Sequence, residues 1–215
     1  MDFVIKIGGS LYKYPGKLRE LCQHASTWLK GRRCIITPGG GPFTDLVRLA
    51  QRDHNISDEI AHEMALIAVD QYGLMLSDMI SNSKPVKSIV EARKLIPSAI
   101  PILLPSNLIL SSDVLEHSWR AGSDCIAAIV ARICNAHKLI LVKDVDGVYE
   151  IIDSKLLTEV SLSKVRQMKT CLDPLLPETL EGSGIECIVV NGLKPDRVKA
   201  VIDGLKTVCT RIVPG

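Results

Sequence analysis

Four short stretches of this chain combine charge, glycine and position in a way that suits phosphate chemistry. Lys6-Ile7-Gly8-Gly9-Ser10-Leu11 directly follows an apolar run. Its two glycines let backbone N–H groups approach an anion closely, and Lys6 adds a point charge. Pro38-Gly39-Gly40-Gly41-Pro42 stands between a second apolar run and a helix-like stretch. Three consecutive glycines cost more conformational entropy than a simple turn requires, and a helix N-terminus behind them favours phosphate. Gly122-Ser123-Asp124 heads a third, strongly apolar stretch. Lys143-Asp144-Val145-Asp146-Gly147-Val148-Tyr149 brings two acids, a turn glycine and an aromatic, a set suited to a ribose and a base. Each also has a plainer reading: a strand-to-helix turn with a surface lysine, a flexible loop, an ordinary acid in a first helical turn, and a hairpin-like turn. Neither glycine loop fits G-x-x-x-x-G-K-[ST] or G-x-G-x-x-G, so the pair points to a different phosphate cradle.

The elements that must position these loops alternate between short β-rich runs and longer helical ones. Phe3–Ile7 is a strand candidate that stops at Gly8-Gly9. Residues 17–29 repeat Leu18, Leu21, Cys22, Ala25 and Leu29 at helical spacing. A second strand is predicted at 34–37 and a helix at 42–52, with Pro42 at its start, where a missing N–H does no harm. Ser57 caps a long helix running to about Ile80. Further strands are expected at 86–90 and 102–104, a helix from Ser123 or Asp124 through Ile133, and a buried strand at 139–142. Residues 161–181 read as mostly helical with breaks at Pro174 and Pro177, followed by a strand at 187–190, a helix at 194–202 and a closing strand at 207–212. Strands without polar alternation, joined by helices, predict an α/β protein with a parallel sheet covered on both faces. No linker, composition shift or repeat divides the chain, so one domain over 1–215 is expected.

Composition narrows the function classes. A chain of 215 residues hides about 70% of its unfolded surface on folding, and 47% apolar residues exclude a disordered one. Lys+Arg 26 against Asp+Glu 24 leaves a net charge of +2, without the basic excess of a nucleic-acid binder. Aromatic residues at 4% supply few platforms for stacking bases or sugars, so the core must be aliphatic. Seven cysteines, an odd number with no C-x-x-C spacing, read as reduced small hydrophobes in a reducing cytosol. No signal-peptide pattern follows Met1-Asp2, and no apolar run approaches about 18 residues. The expectation is a cytoplasmic protein without membrane or nucleic-acid partners.

In their order along the chain the four motifs resemble the amino acid kinase superfamily, and Lys155-Leu156-Leu157-Thr158-Glu159-Val160 is similar to the segment after that group's D-G-V-Y loop. The resemblance covers nearly the whole chain. It implies a three-layer αβα sandwich around a central, mostly parallel sheet, with ATP and an acceptor across the strand ends and Mg²⁺ bridging the ATP phosphates. Asp70-Gln71-Tyr72-Gly73-Leu74-Met75 resembles the acceptor-side helix of UMP kinases. The stretch from His62-Glu63-Met64-Ala65 to Gly73, Ser118-Trp119, Ser123-Asp124-Cys125-Ile126-Ala127-Ala128 and Lys143 are most similar to the small archaeal kinases of methanofuran biosynthesis. That likeness implies [5-(aminomethyl)furan-3-yl]methyl phosphate as acceptor, converted to its diphosphate by ATP. A UMP kinase-like enzyme and a non-catalytic nucleotide or oxyanion binder of the same fold are the alternatives.

The roles implied are these. Lys6 sits against the transferring phosphoryl group, Asp124 orients the lysines, and Lys143 or Lys194 supplies the second cation. The amides of Gly8, Gly9, Gly39, Gly40 and Gly41, with Ser10, hold phosphates. Asp144, Asp146, Gly147, Val148, Tyr149 and Lys194 face the nucleotide. Asp45, Arg48, His62, Asp70, Trp119 and Arg120 are the acceptor-side candidates, with Asp70 or Glu63 for the acceptor amine and Arg48 or Arg120 for its phosphate. A solvated surface role is the competing reading for both arginines. His62 and Asp70 stand roughly 80° apart around one helix, on adjoining faces. No residue is assigned directly to a metal, and a homo-oligomer is expected.

Overall fold

A computed structural model describes residues 1–96, 98–150 and 155–213. The strands are β1 (Phe3–Ile7), β2 (Cys34–Pro38), β3 (Ser83–Val86), β4 (Ile100–Leu103), β5 (Lys138–Lys143), β6 (Val148–Tyr149), β7 (Leu156–Leu157), β8 (Glu159–Ser161), β9 (Glu186–Asn191) and β10 (Thr210–Val213). The helices are α1 (Pro15–Trp28), α2 (Gly41–His54), α3 (Asp58–Met79), α4 (Ile89–Leu95), α5 (Ser106–Ser112), α6 (Ser123–Ile133), α7 (Leu162–Arg166), α8 (Leu176–Leu180) and α9 (Pro195–Ile202), with a 3₁₀ turn at Gly9–Lys13. Eight strands form one sheet in the order β3-β4-β2-β1-β5-β9-β10-β8, and β6 and β7 pair apart from it as a small antiparallel ribbon.

The sheet explains the strand composition. β1 lies between β2 and β5, parallel to both, so both of its faces are covered and all five of its residues are buried. Phe3, Ile5 and Ile7 pack with Leu18, Leu21 and Cys22 of α1 and Val198 and Ile202 of α9. Val4 takes the opposite face, with Ile126, Ala127 and Val130 of α6. Lys6 shares the α6 face with Val4, because side chains alternate along a strand. Small residues at Ala127, Ala128 and Ala131 let α6 lie close on the sheet, and each is buried. Helices on both faces of a mostly parallel sheet form the expected three layers.

Four expectations are corrected. The strand predicted at 86–90 ends at Val86, and Ile89 and Val90 open α4, because Ser88 caps that helix by accepting the Glu91 amide. The strand predicted at 102–104 begins earlier, at Ile100. The segment 161–181 is mostly not helical: Ser161 ends β8 and caps α7, only Leu162–Arg166 and Leu176–Leu180 are helical, and the stretch between them donates polar groups to the site described below. The closing strand occupies Thr210–Val213 and runs antiparallel to β9. Among the described residues no helix is long and apolar enough to cross a membrane.

Candidate active site

The site is built where β1 and β5 end side by side. Lys6 pairs in register with Leu141, and Lys143 lies two residues further along β5, so both lysines face α6. There the first turn of α6 presents Asp124, fully buried. Lys6 Nζ lies 3.0 Å from Asp124 Oδ1 and Lys143 Nζ 2.7 Å from Oδ2. Lys143 also donates to the Cys171 carbonyl at 2.7 Å. Burial by itself would raise the Asp124 carboxyl, but Lys143 and then Lys6 outweigh it and hold it well below the ordinary carboxylate range. Lys143 is raised: burial opposes its charge, and Asp124 more than offsets that. One carboxylate thus orients two ammonium groups. Lys143, not Lys194, is the second cation on Asp124; Lys194 is exposed at the N-cap of α9.

A residue without any signal in the sequence completes this corner. Asp173 Oδ2 accepts the amides of Asp124 and Cys125 at 2.7 and 3.1 Å, capping α6 from outside the helix. In return the Asp173 amide donates to Asp124 Oδ2 at 3.2 Å. Burial and the neighbouring Asp124 charge raise the Asp173 carboxyl. Gly122 is required here, since a Cβ on it would meet Asp173 Oδ1 at 2.8 Å.

The two glycine loops interlock backbone to backbone. A Cβ on Gly9 would lie 2.0 Å from the Gly41 nitrogen, and one on Gly39 would lie 2.4 Å from the Gly9 nitrogen. Gly41 adopts φ +56°, which favours glycine. Two of the five amides expected to face phosphate are spent elsewhere: Gly8 donates to the Val142 carbonyl at 2.8 Å and Gly39 to that of Ile7 at 2.9 Å. These two glycines supply close approach, not donors. Gly9, Ser10, Gly40 and Gly41 line the cleft. The buried Tyr72 hydroxyl steadies the first loop by donating to the Gly8 carbonyl at 3.3 Å. Gly9→Ala is expected to cost at least about 2 kcal/mol of stability, read by denaturant unfolding; wild-type stability in that variant would mean that the loops are not locked together.

From these lysines and loops a cleft of about 400 Å³ opens along one face of α3. Asp45, Arg48, His62 and Trp119 line it, as does Lys13. The Arg48 guanidinium lies 4.3 Å over the Trp119 ring, and Trp119 Nε1 donates to Gln51 Oε1 at 2.6 Å. His62 stacks on His117 at 4.3 Å between centroids; burial, then His117, pushes its imidazole below the ordinary value. Two acceptor-side candidates lie elsewhere. Asp70 turns to the adjoining face of α3 and accepts the amide (3.2 Å) and hydroxyl of Ser106, so it holds the start of α5. Arg120 is exposed outside the cleft wall, 3.8 Å from Glu116. Gln51, Asp58, His117 and Leu115 line the cleft without having been anticipated; they carried no local pattern.

Of the residues expected at the nucleotide, none of Asp144, Asp146, Gly147, Val148, Tyr149 and Lys194 lines the cleft. Asp146 Oδ1 accepts from Asn191 Nδ2 and Arg197 Nη1, both at 2.7 Å, tying its loop to β9 and α9. Gly147 and Val148 pack on Thr210, whose hydroxyl accepts the Val148 amide at 2.8 Å. Asp146 and the Val148 amide are thus engaged within the protein, whereas Tyr149 and Lys194 are exposed. The hairpin-like reading of this stretch holds for Val148 and Tyr149, which pair with Leu157 and Leu156.

Comparison with known proteins bears on this geometry. A profile described as "Amino acid kinase family" matches residues 1–191. The chain is 32% identical over 213 residues to the [5-(aminomethyl)furan-3-yl]methyl phosphate kinase of Methanocaldococcus jannaschii, covering 98% of this chain and 97% of that protein. It is 28% identical over 177 residues to a glutamate 5-kinase of Streptococcus equi subsp. zooepidemicus, covering 68% of this chain and 64% of that protein. Among solved structures, uridylate kinase from Archaeoglobus fulgidus superposes with a TM-score of 0.77 over 99% of this chain and 100% of that one. At 20% identity that likeness is one of fold.

Proposed function

The chain belongs to the amino acid kinase family, and from that premise we propose that it transfers the γ-phosphoryl group of ATP to the phosphate of [5-(aminomethyl)furan-3-yl]methyl phosphate. Kinases of this family use ATP as donor, and the chain is a phosphotransferase of that kind. The observation that carries the acceptor assignment is the likeness to the M. jannaschii kinase over nearly the full length of both chains. What supports the catalytic roles is the convergence of Lys6 and Lys143 on Asp124 at the floor of the cleft, beside Gly9, Ser10, Gly40 and Gly41.

In this reading an oxygen of the acceptor phosphate attacks the γ-phosphorus, the bond to the β,γ-bridging oxygen breaks, and ADP leaves with the bridging electrons. The acceptor is already an anion, so no strong general base is needed. The protein's work is positioning and charge stabilisation. Lys6 and Lys143, oriented by Asp124, face the charge that spreads over the equatorial oxygens, and the free glycine-loop amides hold the donor and acceptor phosphates. Mg²⁺ would ride on the ATP phosphates and keep much of its water shell. Both oxygens of Asp124 are engaged by lysines, and no group of three potential ligands occurs among the described residues, so the fit is to an ion carried by the nucleotide. Tyr149 and Lys194 are the exposed candidates for the nucleotide's outer parts.

The test is a panel. With ATP the protein is expected to release ADP on addition of the aminomethylfuran phosphate, and not with UMP or isopentenyl phosphate. Turnover of UMP alone would move the acceptor to a nucleoside monophosphate, and ADP release with none of them would favour a binding role.

We read all 215 residues as one kinase unit in a reducing cytoplasm; seven free cysteines, five of them buried, support that compartment. A homo-oligomer is supported by exposed Ile60, Ile67 and Leu74, which recur every seven residues along α3. Ile67→Glu is expected to lower the mass measured by sedimentation; a wild-type monomer would end this reading.

A further inference from the structure

The acceptor proposed above carries an ammonium group, which a carboxylate not already paired with a cation would recognise. Three carboxylates line the cleft: Asp45, Asp58 and Asp173. Asp173 is committed at the transfer end, capping α6. Asp45 lies 3.5 Å from Arg48 on its own helix. Asp58 has no cationic partner among the described residues; its Oδ1 accepts only from the neutral amide of Gln51, Nε2 at 2.7 Å. The acids first considered for this task are both placed elsewhere, Glu63 outside the cleft wall and Asp70 on Ser106.

Gln51 is fixed from both ends. Its carbonyl oxygen accepts the Trp119 indole N–H at 2.6 Å while its NH₂ donates to Asp58. An indole nitrogen can only donate and a carboxylate can only accept, so the orientation of this amide is determined. Arg48, which lines the same cleft, lies against Asp45 and the Trp119 face, and no ion pair joins it to Asp58. Position agrees as well. Gly41 and Gln51 stand at opposite ends of α2, about 15 Å apart by helix rise. Asp58, bonded to Gln51, thus stands toward the end of the cleft away from the glycine loops, where an arm extending from a phosphate-bound acceptor would reach.

We infer that Asp58 selects a cationic acceptor, pairing its carboxylate with the aminomethyl ammonium group while Gln51 and Trp119 hold that carboxylate in place. The assignment rests on the acceptor reading above. It is tested with two acceptors, the aminomethylfuran phosphate and its analogue bearing methyl in place of aminomethyl. Asp58 is exposed, so wild-type protein is expected to favour the amine by roughly 2- to 5-fold in kcat/KM, the worth of a solvent-screened charge pair. Asp58→Asn is expected to raise KM for the amine well beyond any change for the methyl analogue, so that the preference disappears. Gln51→Ala, which leaves the α3 terminus intact, is expected to reduce the preference in part, and serves if Asp58→Asn does not fold. Equal losses with both acceptors, or no loss with either, overturn the role of Asp58 while the acceptor reading stands. Wild-type turnover of UMP without the furan phosphate overturns the acceptor reading and this assignment together.

Discussion

Lys6→Ala is expected to lower kcat by roughly 10²- to 10³-fold, the usual loss when one oriented donor is removed from a developing charge, with a far smaller change in the KM for ATP. Lys6 is buried and its ammonium is held at 3.0 Å from Asp124, so in the proposed transfer it would meet the migrating group in a fixed geometry, with little reorganisation. The effect on folding should be modest by comparison. Removing one partner of a lone buried pair costs about 3–5 kcal/mol because a charge is stranded. Here Asp124 keeps Lys143 at 2.7 Å, so its carboxylate is not left alone. Lys6→Met, which retains most of the side-chain volume, should match Lys6→Ala in turnover and exceed it in melting temperature. Unchanged kcat in either variant removes Lys6 from the mechanism.

Asp124→Asn is expected to hit both turnover and stability. Asparagine keeps the shape but loses the charge, and its NH₂ must face one of two ammonium groups. Two buried cations then repel each other without an anion between them, a loss of order 3–5 kcal/mol, and kcat should fall about 100-fold or more because neither lysine is oriented. The pH dependence separates this from a simple capping role. Because the Asp124 carboxyl is depressed in the folded state, its stabilisation is fully present above the ordinary carboxylate value, about pH 4. It is lost as pH falls toward the depressed folded value. Melting temperatures of the wild type and Asp124→Asn should therefore differ by a constant amount at neutral pH and converge on acidification. A gap that stays constant down to pH 2 would mean that Asp124 does no more than occupy the first turn of α6.

Much of the site was legible because some of its requirements are local. Gly9 and Gly41 are demanded by an approach so close that no other residue fits, and such a demand leaves a mark in the sequence as adjacent glycines. Pro42 at the start of α2 and Ser57 at the cap of α3 are likewise local signals that hold. Asp173 left no such mark: it lies in an irregular stretch, and its task is to cap a helix 49 positions earlier in the chain. Asp70 misled for the opposite reason. Its neighbourhood suited an acceptor helix, yet a turn of about 80° from His62 brings it to Ser106 and away from the cleft.

What the sequence determined by itself was the alternation of strands and helices, the two glycine loops at strand ends, the family likeness and a pool of charged residues. Spacing, propensity and hydrophobic period act over a few residues, so they can be read from the chain directly. Only the tertiary structure decided which of those charges meet. Lys6 and Asp124 lie 118 positions apart, and they are neighbours because β1 is inserted between β2 and β5 and α6 packs across that join. The same docking chose Lys143 over Lys194, turned the Gly8 and Gly39 amides to carbonyls of the chain itself, and left Asp58 without a cationic partner among the described residues.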